Sequence, residues 1–172
     1  MSRPAGRPRR RVVAAATAAA LAGLLTSCGA EPAPQQPRLR VTDAFLARPV
    51  TTEVAGGFLT VHNDGDRADR LTAVRSDLAA RVELHRSTDG RMREVASLPV
   101  PAHGALRLSR GGDHLMFLDL RRMPEEGETV RVELRFATSD PITLDVPVRP
   151  THYQPEGATP SAHTPHAPHG EE

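Results

Sequence analysis

The chain has 172 residues with one cysteine, no tryptophan, one tyrosine and four phenylalanines, so its core is aliphatic and no internal disulfide can brace it. Arginine supplies every basic group, and 22 basic residues stand against 21 acidic ones. That balance turns mildly acidic once an N-terminal leader is removed, which leaves a nucleic-acid partner without an electrostatic argument.

Arg3, Arg7, Arg9, Arg10 and Arg11 precede an apolar run over residues 12–25. Such a run is too short to span a bilayer core comfortably, so residues 1–27 read as a signal peptide. The run ends in Leu25-Thr26-Ser27-Cys28, which resembles a bacterial lipobox, where the cysteine is lipidated and becomes the first mature residue. Cys28 then anchors the protein on the extracytoplasmic face of a bacterial cell membrane. Ordinary secretion with cleavage near Ser27 would instead leave a free thiol. Arg9-Arg10-Arg11 leaves both the general secretory and the twin-arginine export routes open. Losing residues 1–27 removes five arginines and no acids, so 17 basic residues face 21 acidic ones, a net charge of about −4.

Residues 28–37 are proline-rich without an apolar period and read as a flexible tether. Residues 149–172, rich in Pro, His and Gly, read as a disordered tail. Between them, residues 38–148 have the size of one compact domain. Short alternating runs there predict an all-β fold, a sandwich or barrel, with strands over 38–45, 57–63, 70–74, 80–86, 92–95, 105–108, 114–120, 129–137 and 142–148. Turn signals such as Asp89-Gly90 and Gly111-Gly112 separate them. The only helix-like stretch, 76–80, is about one turn. Period-two positions give the expected core: Phe58, Val61, Leu71, Val82, Leu84, Leu106, Leu108, Leu115, Phe117, Val132, Leu134, Phe136, Ile142, Leu144 and Val146.

Within this cysteine-free stretch, Met92 and Met116 accompany His85 and His114. Thioether sulfur is a soft, neutral donor that suits Cu(I), whereas Mg or Ca demands oxygen. A two-residue turn at Asp89-Gly90 pairs Thr88 with Arg91, Ser87 with Met92 and His85 with Glu94. His85 and Met92 then share one face as diagonal neighbours, with Val82, Leu84 and Val95 on the other. His114 and Met116, two apart on a strand, also share a face. A one-residue slip would send Met92 into the core, so register decides the matter.

The arrangement resembles the PCuAC family of periplasmic copper chaperones. The family motif runs His, Met, then His-x-Met, with twenty-one residues between the first Met and the second His; Met92, His114 and Met116 match it. Glu83-Leu84-His85, Met92-Arg93-Glu94-Val95, Leu98-Pro99-Val100-Pro101-Ala102 and Gly111-Gly112-Asp113 also fit. The likeness covers nearly all of 39–148. One departure is a shorter His-to-Met link, six residues against the family's usual ten, which the tight Asp89-Gly90 turn accommodates. Another is His103, at a turn position where the family commonly has glycine. The resemblance implies a cupredoxin-like Greek-key β-sandwich that binds Cu(I) through His85, Met92, His114 and Met116. It also implies a monomeric metallochaperone that passes copper to an acceptor, such as the CuA centre in cytochrome c oxidase subunit II or another copper chaperone.

His152, His163, His166 and His169 in the tail offer a second site suited to Cu(II). His62, mid-strand, reads as structural. Two other readings compete: a copper-tolerance or storage lipoprotein, and a β-sandwich scaffold that binds no metal. An enzyme is not expected, because no Ser-His-Asp, Cys-His or paired-carboxylate set falls together, and a blue-copper site would need a cysteine inside the domain.

Overall fold

The computed structural model describes residues 36–155. Among them are ten strands and no helix: β1 (Leu39–Ala47), β2 (Val54–Asn63), β3 (Asp69–Ser76), β4 (Ala79–Thr88), β5 (Arg91–Glu94), β6 (Leu98–Val100), β7 (Gly104–Leu108), β8 (His114–Leu120), β9 (Thr129–Phe136) and β10 (Ile142–Arg149). The first sheet runs β5-β4-β8-β2-β1, and the second runs β10-β9-β3-β6. β2 is long enough to pair with β8 over its first half and β7 over its second. A short parallel contact, Leu46 with Val148 and Ala47 with Arg149, links the two sheets.

Alternation along each strand sends one set of side chains between the sheets. Val61, Leu84, Leu115 and Phe117 from the first sheet meet Leu71, Val132, Leu134 and Val148 from the second in one buried cluster. Each such side chain contributes about 1.5–3 kcal/mol on burial. The fold is therefore the expected all-β, cupredoxin-like sandwich, and its first sheet turns an outer face away from that core.

Several expectations need correction. The stretch 76–80 is not helical: Asp77 and Leu78 form a tight turn between β3 and β4, and the Leu78 N–H donates to Ser76 Oγ at 3.3 Å. Phe58 is buried, but not in the main core. β1 carries a bulge between Thr42 and Phe45, with Asp43 at φ 55°, and this shift pairs Phe45 with Phe58 on the outer face. There the two rings and Ala47 form a separate apolar cluster, with Tyr153 packed against it. Val82, Ile142 and Leu144 border the main core half-buried.

The chain also stays packed past Val148, where the sequence suggests a boundary. Tyr153 sits edge-on to Phe45 with ring centroids 5.0 Å apart, and Arg110 donates to the carbonyls of Thr151 and Tyr153 at 2.5 and 3.3 Å. The one tyrosine of the chain holds this segment in place.

Candidate metal centre

The Asp89-Gly90 turn has φ of 53° and 71°, the pair of left-handed residues that a two-residue hairpin of right-twisted strands requires. The resulting register pairs Thr88 with Arg91, Ser87 with Met92 and His85 with Glu94, as the turn chemistry predicts. β8 then lies antiparallel on the other side of β4, with His85 opposite His114 and Glu83 opposite Met116. Their core-facing neighbours, Leu84 and Leu115, are 4% and 1% exposed. His85, Met92, His114 and Met116 therefore all project from the outer face of the first sheet.

His85 occupies the middle of this group. His114 is its direct cross-strand partner, with ring centroids 5.6 Å apart, while Met92 and Met116 are its diagonal neighbours on opposite sides. An ion about 2 Å from a nitrogen of each ring lies about 3 Å from each centroid, so a bent bridge between the rings is feasible and leaves sides open to sulfur. Burial grades across the group: His114 is 9% exposed, His85 and Met116 are half-buried, and Met92 is 64% exposed. The Met92 thioether is thus open to an ion or an incoming ligand from solvent.

Hydrogen bonds fix which ring nitrogens stay available. The Nδ1–H of His114 donates to the Gly112 carbonyl at 2.8 Å, which leaves the lone pair on Nε2. Gly111, at φ 76°, makes the turn that brings this carbonyl back to the ring. His85 has the opposite arrangement: its Nε2–H donates to Glu83 Oε2 at 3.0 Å. Nδ1 of His85 is the one buried side-chain nitrogen or oxygen without a hydrogen-bond partner among the described residues. Leaving such an atom unpaired costs about 1–3 kcal/mol, and a soft cation would relieve it.

Further polar contacts brace the site. Arg81 contacts Glu83 Oε1 at 3.0 Å and Asp119 Oδ2 at 2.7 Å. The His85 ring N–H, and after it the Arg81 guanidinium, hold the Glu83 carboxyl below its usual range. Asp113 accepts from the Ser87 N–H at 3.2 Å, which ties the start of β8 to β4. Gly56 lies opposite Met116; a β-carbon there would come within 3.0 Å of the Phe58 ring, so the aromatic cluster borders the methionine.

Sequence reasoning passed over Glu83 as a contributor, although it precedes His85 by two and so shares its face. No group of three or more His, Cys, Asp or Glu side chains is arranged to hold a metal among the described residues, so a metal site here depends on the methionines. His62 and His103 do not join the group. The His62 Nε2 pairs with Thr42 Oγ1 at 3.0 Å, and the His103 Nε2 lies 2.8 Å from Asp66 Oδ1. His103 has φ 50°, which explains why glycine suits that turn. His152 is exposed. Cys28, His163, His166 and His169 lie outside the described residues.

A two-sheet β-sandwich with a His/Met strip on one outer face defines the class of protein. Residues 39–148 match the family described as "Putative lipoprotein LpqE-like", and the chain belongs to that family. A curated relative, "Putative lipoprotein Lxx21020" of Leifsonia xyli subsp. xyli, is 29% identical over 150 residues, covering 81% of this chain and 90% of the relative. Solved PCuAC domains share the fold. The copper-bound PCuAC domain from PmoF2 superposes with a TM-score of 0.59 at 22% identity, covering 67% of this chain and 98% of that one. The solution structure of Cu(I)-DR1885 from Deinococcus radiodurans superposes with a TM-score of 0.54 at 27% identity, covering 71% and 83%.

Proposed function

We propose that the protein is an extracytoplasmic Cu(I) metallochaperone whose cargo is held by His85, Met92, His114 and Met116. The observation that carries this reading is the His85–His114 cross-strand pair, each ring with one nitrogen lone pair uncommitted and a methionine at either flank. Two imidazoles and two thioethers are neutral donors, and the thioethers' softness favours a monovalent soft ion over Mg or Ca. Without a thiolate, the site can work in an oxidising compartment and stay free of disulfide chemistry. The copper named for the PmoF2 domain and for DR1885, both of this fold, supports the same cargo here.

Exposure of Met92 suits a donor that must release its ion, because an incoming ligand can displace an accessible thioether without opening the core. The acceptor in this reading is the CuA centre of cytochrome c oxidase or a second copper chaperone. Cys28 supplies a lipid anchor after removal of residues 1–27, and residues 28–37 hold the domain, 38–148, away from the membrane. The lipoprotein wording of the family and the relative is consistent with that placement. His152, His163, His166 and His169 form a separate Cu(II)-capturing segment.

Anaerobic Cu(I) titration of the full mature chain carrying His152, His163, His166 and His169 all as alanine tests the site alone. One ion bound per chain is expected, with strong weakening in Met116→Leu and in His114→Ala. A chain that takes up no Cu(I) would end this reading and favour a scaffold.

A further inference from the structure

The centre contains a residue with a specific task that its ligand chemistry alone does not reveal. Glu83 is a carboxylate, a hard donor that Cu(I) does not favour, yet it stands on the ligand face directly opposite Met116 and two residues before His85. Both of its oxygens are committed: Oε1 accepts from Arg81 Nε at 3.0 Å and Oε2 accepts from His85 Nε2 at 3.0 Å. Arg81 is in turn fixed by Asp119 at 2.7 Å. An ionised carboxylate can only accept, so the proton of the Glu83–His85 bond belongs to His85 Nε2 and the lone pair to Nδ1. That Nδ1 is buried and unpartnered, while the other ligand ring is locked in the opposite sense by the Gly112 carbonyl.

We propose that Glu83 is a positioning residue that holds His85 as its Nε2–H tautomer, so that the ion is taken by Nδ1 of His85 and by Nε2 of His114. The two histidines of the site are thus non-equivalent. A backbone carbonyl orients one and a charged, Arg81-braced side chain orients the other. Outer partners of this kind set the tautomer and ring angle of a metal-binding histidine and raise its donor strength. The inference rests on the Cu(I) reading above.

Long-range proton–nitrogen NMR of the imidazole rings tests it, using the full mature chain with its four tail histidines as alanine, at about pH 8, above the ordinary imidazole range. In the metal-free chain, His85 should show a protonated Nε2 and a bare Nδ1, and His114 the reverse. One equivalent of Cu(I) should then shift the His85 Nδ1 and His114 Nε2 resonances. Glu83→Ala should release the His85 tautomer and weaken Cu(I) binding about 10–100-fold. Glu83→Gln, whose amide oxygen still accepts from Nε2–H, should preserve the tautomer and recover most of the affinity.

Loaded wild-type chain with copper on His85 Nε2 would overturn the proposal. So would Glu83→Ala with unchanged tautomer and affinity. Should Glu83→Ala fail to fold, the wild-type assignments and the Glu83→Gln chain decide the question alone. A wild-type chain that takes up no Cu(I) would instead sink the function reading, and the metal-free spectra would still report whether Glu83 sets the His85 tautomer.

Discussion

Two places in the fold bring two histidines near each other, His85 with His114 and His62 with His103, and they differ in register and in what surrounds the rings. His85 and His114 each retain an uncommitted nitrogen, lie in direct register and have Met92 and Met116 beside them. His62 and His103 border a hollow with Asp64 and Arg107; each also has one ring nitrogen paired, with Thr42 and Asp66, but the two are not cross-strand partners and no methionine accompanies them. Counting histidines would rank the two places alike. The direct register of the two rings, the buried unpaired Nδ1 of His85 and the softness of the neighbours separate them.

The largest effect should come from the core that supports the ligand strip. Phe117→Ala removes a ring that is 1% exposed between Leu84, Leu115 and the opposite sheet, and should cost about 3–5 kcal/mol in denaturant unfolding. Met116→Leu, on the other face of the same strand, keeps its volume and should cost less than about 1.5 kcal/mol while copper affinity collapses. Equal stability losses for the two would erase the distinction between the faces of β8. Cu(I) competition titrations should show His114→Ala weakened by more than about 100-fold, beyond the usual cost of an outer partner. His62→Ala and His103→Ala should leave affinity unchanged, and comparable weakening in them would break the contrast between the two pairs.

Acid should act elsewhere in the fold. Burial raises the pKa of the Asp69 carboxyl, but hydrogen bonds from Ser139 Oγ and from the Arg70, Ser139 and Thr138 N–H groups outweigh it and hold the group below its usual range. Its contribution is therefore full above about pH 4, the unfolded value, and fades as pH falls through the lower folded one. Asp69→Ala should lose about 1–3 kcal/mol at neutral pH. Thermal melts of the two proteins should converge as the pH drops below that range, and a gap that persists would assign the loss to packing. The smallest effect is expected at the hairpin: Gly90→Ala, at φ 71°, should cost about 1–2 kcal/mol and leave copper affinity nearly intact, since the register has other ties.

How much could be read from the sequence follows from how local each determinant is. Strand β8 and the β4–β5 register were legible, because period-two alternation and an Asp-Gly turn are encoded within a few residues. Strand β6 was not: Leu98-Pro99-Val100 is three residues with a proline at its centre, tolerated only as an edge paired with Asp69–Leu71. Phe58 is buried as its sequence suggests, but in a cluster of its own, because a bulge around Asp43 on a different strand turns Phe45 outward to meet it, which nothing local to Phe58 encodes. The four soft donors were visible as residue types. Which nitrogen of each histidine remains free was not, since it depends on Glu83 and on the Gly112 carbonyl, contacts that only the folded pairing creates.

The most direct measurement is X-ray absorption of the Cu(I)-loaded full mature chain with its tail histidines replaced by alanine. The account predicts a first shell containing both imidazole nitrogen and thioether sulfur, with the sulfur contribution lost in the Met92→Leu, Met116→Leu double variant. A shell of nitrogen and oxygen alone, or sulfur scattering that survives the double substitution, would contradict it.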